Sequence, residues 1–297
     1  LKDALRRFER INRAPISTGW PRIDDICKGG LGKNELGVVI APTGAGKSMV
    51  LVHLGSEALK QGKTVVHYTL ELNEPYVGLR YGAIFSGVEA SQIPAQRVKV
   101  KKMVAEQCKG ELLIKYYPSK AASVQTIYTH LKTVELLGHS PDIVLVDYAD
   151  LLSDTSGQGE IRHQLGLIYE ELRGLSGEFQ IPVWTASQSN RSSLEEQVIG
   201  AEKIAESYSK VMTADFVMSL SRKIEDKVAN TGRIHIIKNR FGPDGLTFPT
   251  TMNTATGQID IYDSGSSGGQ DVTKKMNNGS EYVRKLLKKR YDEFETN

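Results

Sequence analysis

Ala41-Pro42-Thr43-Gly44-Ala45-Gly46-Lys47-Ser48 decides the reading of this 297-residue chain. The apolar run Leu36-Gly37-Val38-Val39-Ile40 leads into it, and an amphipathic stretch beginning Met49-Val50-Leu51-Val52 leaves it. Strand, glycine-bearing loop and helix in that order are the setting of a phosphate-binding loop. The glycines let several backbone N–H groups converge on one anion, and the helix N-terminus adds a favourable dipole. Lys47 can reach the β- and γ-phosphates of a nucleotide, and the Ser48 hydroxyl can ligate Mg²⁺. The first position of the usual eight-residue pattern holds Ala41 instead of glycine.

Working outward, strand and helix patterns alternate. Thr64–Leu70 is β-branched and aromatic and ends on Glu71; Glu111–Tyr116 reads as another strand; Ile143–Asp147 is a continuous apolar run. Helical periodicity predicts helices near 47–60, 74–87, 95–109, 124–137 and 160–176, with a further strand at 181–187. This alternation predicts an α/β fold, a mostly parallel twisted sheet flanked by helices. Beyond Gln188 come a strand at 214–221 and short strands at 233–238, 246–252 and 258–262, which predict an antiparallel C-terminal extension.

Residues 1–18 read as an amphipathic helix and a polar linker, 19–263 as one nucleotide-binding domain, and 264–297 as a flexible Gly/Ser-led tail with a short helix near 280–294. The chain begins at Leu1, so the reading expects a fragment lacking an N-terminal region. The 39% hydrophobic and 25% charged fractions are those of a soluble globular protein. A net charge of +3 is too mild to indicate nucleic-acid binding by itself. Cys27 and Cys108 lack metal-ligand spacing and read as reduced thiols in a reducing compartment. No apolar run approaches the length of a membrane span.

A phosphate loop alone says only that a nucleotide binds. Asp147, at the tip of an apolar strand, adds a carboxylate for Mg²⁺. Tyr148 follows it, so the water-activating base must come from elsewhere. Glu71, at the tip of Val65-Val66-His67-Tyr68-Thr69-Leu70, is the best-placed candidate, with Asp150 second. Gln188 closes the strand Trp184-Thr185-Ala186-Ser187 and can sense a γ-phosphate. Lys238 and Arg240 follow Ile234–Ile237 and can neutralise charge developing on that phosphate.

Together these stretches, with Ala149-Asp150-Leu151-Leu152, Ile204-Ala205-Glu206-Ser207 and Thr213-Ala214-Asp215-Phe216, resemble the ATPase domain of hexameric replicative DNA helicases. That is the DnaB-like family with a RecA-like P-loop core, and the resemblance is greatest to T-even phage helicases, over roughly residues 15–250. The resemblance implies that Lys47, Ser48 and Asp147 handle ATP and Mg²⁺, that Glu71 is the base, and that Lys238 and Arg240 act across a subunit interface. It implies a homo-oligomeric ring of six around single-stranded DNA, partners such as a primase or loader, and a cytoplasmic location, the host's for a phage-encoded chain. The DNA loops would follow Asp147 and Gln188, with Arg162, Lys203, Glu206, Ser207 and Lys210 as contacts. The basic residue expected before Glu206 is Ala205 here. The rival readings are a RecA/RadA-like recombinase and a regulatory ATPase of the same fold with a protein client.

Overall fold

The computed structural model describes residues 13–154, 161–189, 196–200 and 208–295. Among them nine strands form one sheet: β1 (Leu36–Ala41), β2 (Thr64–Thr69), β3 (Glu111–Tyr116), β4 (Ile143–Asp147), β5 (Val183–Gln188), β6 (Phe216–Ser221), β7 (Thr231–Asn239), β8 (Thr247–Asn253) and β9 (Gln258–Ile261). Their order is β3-β2-β4-β5-β1-β6-β7-β8-β9. The pairings from β3 to β6 are parallel. β7, β8 and β9 add antiparallel to that edge. The expected fold class is the observed one.

The helices are α1 (Pro21–Cys27), α2 (Lys47–Lys60), α3 (Glu74–Ser86), α4 (Arg97–Gln107), α5 (Val124–Leu136), α6 (Ile161–Phe179), α7 (Tyr208–Thr213), α8 (Ile224–Val228) and α9 (Ser267–Glu295). Every residue of β1 and β4 is buried, which is why both read as unbroken apolar runs. The period of two divides β1 between two cores. Leu36, Val38 and Ile40 join Ile127 and Leu131 of α5 and Leu172 of α6. Val39 and Ala41 join Val50, Leu51 and Leu54 of α2. Each such fully buried Val, Leu or Ile side chain contributes about 1.5–3 kcal/mol.

Two expected boundaries are corrected. Residues 13–18, read as linker, belong to the domain. Ile16 bridges to Leu31, the Arg13 fork meets the Glu35 carboxylate, and Asp24 accepts from both the amide and the hydroxyl of Thr18. Trp20 is buried and donates its indole N–H to the Ile259 carbonyl at 2.8 Å. The Gly/Ser stretch at 264–269 is likewise no flexible linker, because α9 starts at Ser267 and runs through 29 residues. Two of its glycines serve close approach: a Cβ on Gly269 would fall 1.9 Å from the Asp263 carbonyl oxygen, and one on Gly268 would meet the Tyr262 ring. Val272 and Met276 then bury the first turns of α9.

Candidate nucleotide site and the distant cations

The carboxyl ends of the parallel strands hold the site, as expected for an open α/β sheet. Ala41 ends β1 opposite Gln188 of β5 and is fully buried within the strand, where extended backbone tolerates a Cβ. The departure from glycine is therefore harmless. Gly44 and Gly46 do need their freedom, with φ of +71° and +115°. A Cβ on Gly46 would also strike the Met252 side chain. α2 begins at Lys47, so its first amides face the loop.

A cavity of about 380 Å³ opens here, lined by Lys47, Ser48, Glu71, Arg80, Tyr148 and Gln188 among others. Four of these six, Lys47, Ser48, Glu71 and Gln188, are candidate site residues read from the sequence. Lys47 is buried, and burial pushes its pKa down against the pull of Asp147, Glu71 and Asp150. Its Nζ stands 5.2 Å from the centroid of the Tyr148 ring.

Asp147 is 1% exposed, and burial pushes its carboxyl up to about 6, opposed by a hydrogen bond from Ser48 and the charges of Arg80 and Lys47. Its Oδ1 is buried without a hydrogen-bond partner. An orphaned carboxylate oxygen beside a serine hydroxyl and a phosphate loop fits Mg²⁺, which needs only one or two protein ligands when phosphates supply others. Ser48 and Asp147 would hold it. Glu71 sits in a turn that Thr69 fixes, its hydroxyl accepting from Leu72 N at 3.2 Å and donating to Leu72 O at 2.6 Å.

Arg80 was missed in the sequence. It stands on α3, whose start is fixed by the Asn73 cap and by Pro75. Its Nη1 is buried without a protein acceptor at the cavity wall. The available signal was its place on the helix that starts just after Glu71.

Asp150, the second candidate base, is corrected. Its carboxylate accepts from Lys210, Ser187, Tyr169 and the Gln188 amide, which leaves it no role as a base for water. Lys210, expected at DNA, is corrected with it: the side chain is 2% exposed and pairs with Asp150 at 2.6 Å. Lys203, Glu206 and Ser207 lie outside the described residues, and so does the side chain of Arg162.

Lys238 and Arg240 are not at the cavity. β7 runs antiparallel to β6, so its end lies where the parallel strands begin. Arg240 Nη1 bonds Asp215, whose other oxygen accepts from Leu36 N at the start of β1. Lys238 Nζ donates to the carbonyls of Val211 and Met212.

The family described as DnaB-like helicase C terminal domain matches residues 15–255. The chain belongs to that family. It is 27% identical over 231 residues to the DnaB-like replicative helicase of Enterobacteria phage T4, covering 74% of this chain and 49% of that one. It is 23% identical over 181 residues to the replicative DNA helicase DnaB of Helicobacter pylori, covering 60% and 37%. The chain thus spans about half the length, or less, of these curated relatives. One solved ATPase domain shares its fold with a TM-score of 0.73 at 19% identity, over 88% of this chain and 96% of that one. A DnaB-like replicative helicase, solved in work on its interactions with primase, gives 0.74 at 19% identity over 88% and 66%. In this DnaB-like domain, then, the phosphate loop, Glu71 and Gln188 meet at one cavity beside Asp147, with Lys238 and Arg240 at the far end of the sheet.

Proposed function

We propose that this chain is the motor domain of an ATP-dependent replicative DNA helicase, which translocates on single-stranded DNA and unwinds duplex as a ring of six. The observation that carries this reading is the gathering of Lys47, Ser48, Glu71 and Gln188 around one cavity beside the buried Asp147 in a DnaB-like chain. Lys47 would neutralise the β- and γ-phosphates of ATP, and Ser48 with Asp147 would hold Mg²⁺, whose charge would offset that of the leaving phosphates. Glu71 takes the proton of the attacking water. Gln188 contacts the γ-phosphate. Lys238 and Arg240 serve the cavity of the adjoining subunit. Arg162, Lys203, Glu206 and Ser207 remain the proposed DNA contacts.

The proposed partners beyond DNA are further copies of this chain and a primase or loader. The proposed location is the cytoplasm, a bacterial host's if the chain is phage-encoded. No helix among the described residues is long and apolar enough to cross a membrane.

The test compares the chain with Lys47→Ala in ATP hydrolysis with and without single-stranded DNA, and in displacement of a labelled strand from a fork. Expected are DNA-stimulated hydrolysis and strand displacement, both abolished in the variant. Filament formation on DNA without displacement would favour the recombinase reading. Hydrolysis indifferent to DNA would favour a regulatory ATPase.

A further inference from the structure

A lysine in the interior is expensive unless its charge is met. Lys210 is met on several sides. Its Nζ lies 2.6 Å from Asp150 Oδ1 and 3.0 Å from Ser187 Oγ, and 5.3 Å from the centroid of the Tyr169 ring. Asp150 in turn accepts on Oδ1 from Tyr169 at 2.9 Å, and on Oδ2 from Ser187 at 3.0 Å and the Gln188 amide at 3.1 Å. The backbone of Gln188, whose side chain lines the nucleotide cavity, is therefore fixed by a carboxylate that Lys210 fixes.

The same lysine belongs to α7, and the carbonyls of the two residues after it are held by a second cation. The carbonyls of Val211 and Met212 accept from Lys238 Nζ at 2.8 and 2.6 Å. A continuous set of contacts thus runs from Gln188 through Asp150 and Lys210 along α7 to Lys238, two residues from Arg240. It joins the carboxyl end of the sheet to the far end. A surface lysine could let go of such a chain into water. Lys210 cannot, because releasing Asp150 would leave its own ammonium buried without a counter-charge.

We propose that Lys210 is a positioning residue: through Asp150 it sets Gln188 for the γ-phosphate of a bound nucleoside triphosphate, and it passes occupancy of that position through α7 to Lys238. The inference deepens the ATP reading of the cavity and rests on it. It concerns the difference between a triphosphate and a diphosphate, since only the triphosphate presents a group to Gln188. Coupling of this kind is a difference in free energy between two liganded states and is measured as one.

The experiment titrates the 297-residue chain and its Lys210→Met variant with Mg-ADP and with a non-hydrolysable Mg-ATP analogue, and follows amide hydrogen exchange over residues 208–213 in each state. In the parent, the analogue slows exchange over 208–213 and ADP does not. Lys210→Met keeps its affinity for ADP, binds the analogue about tenfold more weakly, the scale of one lost polar contact, and loses the difference in exchange. An unchanged analogue-to-ADP affinity ratio in the variant overturns the inference, and so does equal exchange with both nucleotides in the parent. The Asp150→Asn/Lys210→Met pair removes the uncompensated charge and covers a misfolded single variant. If that pair restores both stability and the ratio, Lys210 is a structural residue only and the inference falls. Failure of the parent to bind either nucleotide would instead overturn the reading of the cavity itself.

Discussion

Arg240 Nη1 donates to Asp215 Oδ1 at 2.9 Å, and Arg173 Nη2 reaches the same oxygen at the same distance. Asp215 is also the acceptor for the first amide of β1, at 3.0 Å. The cation is thereby anchored where β1 begins, while Lys47 follows the end of that strand. Five residue steps separate the ends of β1, roughly 17 Å at about 3.3 Å per residue. A guanidinium so placed does not serve the cavity of its own subunit. The bond to Asp215 uses one of its five N–H donors.

The prediction is complementation. On the proposed action in trans, Arg240→Ala lacks the cation for a neighbour but keeps its own phosphate loop, and Lys47→Ala has the opposite defect. Each alone is inactive in hydrolysis. Mixed oligomers contain interfaces where an intact loop meets an intact Arg240, so ATPase activity returns on mixing after subunit exchange. A finger of this type is worth about 10³–10⁵ in rate, which makes even a minority of restored interfaces measurable. Absence of any recovery in verified mixed oligomers counts against action in trans.

Glu71→Gln keeps the shape of the side chain and removes its basicity. Mg-ATP affinity is expected to stay within a few-fold, while single-turnover hydrolysis falls about 10²–10⁴-fold, the usual contribution of a general base. Equal turnover would move the base away from Glu71, and Asp150, with its four donors, is not the replacement.

Ala41→Gly restores the commoner form of the phosphate loop and is expected to gain nothing. Ala41 is fully buried in β1 and packs into the core shared with α2. Glycine in a strand interior is destabilising by roughly 0.5–1 kcal/mol. Denaturant titration should show that loss with ATP affinity unchanged, and a gain in affinity would refute the account of the departure.

What the sequence revealed, and what it hid, follows from the range of the interactions. β1 and β4 were legible because burial on both faces writes a continuous apolar run. The phosphate loop was legible because its chemistry is local, one loop and one helix start. α7 and α8 were not, because helices of six and five residues are too short for periodicity. They are held by distant partners, α7 through Lys210 and Lys238, and α8 through the Asp226 carboxylate, which takes the Lys223 amide and Arg233. Lys210 was misread as a DNA contact because its burial depends on Asp150, sixty residues earlier. The Gly/Ser stretch before α9 was misread because composition does not separate glycine that confers freedom from glycine that permits contact. Arg80 carried no motif at all.

The last prediction concerns acid. His53 is buried, stacked on Trp20 with ring centroids 4.2 Å apart, its Nε2 3.1 Å from the Thr18 carbonyl. His67 is fully buried on β2 and bonds Tyr81 through Nδ1 at 2.9 Å. Burial pushes each imidazole down to about 3. Their unfolded values are about 6.5, so both favour the folded state above that pH, and this contribution is lost as pH falls toward 3. Asp147 acts in the opposite sense. Its carboxyl is raised to about 6, so the protonated form stabilises the fold at low pH, and that contribution is lost as pH rises through 6. Between about pH 4.5 and 5.8 the unfolded chain binds two protons on the histidines that the native chain does not. The native chain binds one on Asp147 that the unfolded chain does not. The balance is one proton, and for these groups unfolding free energy rises by about 1.4 kcal/mol per pH unit. Urea titrations of metal-free protein across that interval should therefore give a shallower profile for His53→Gln than for the parent, because one of the two buried histidines no longer contributes. Asp147→Asn should be steeper than the parent, because the raised carboxyl no longer opposes the histidines. A slope unchanged by Asp147→Asn would mean that the carboxyl is ionised in the folded chain and that its buried oxygen is met by something other than a proton.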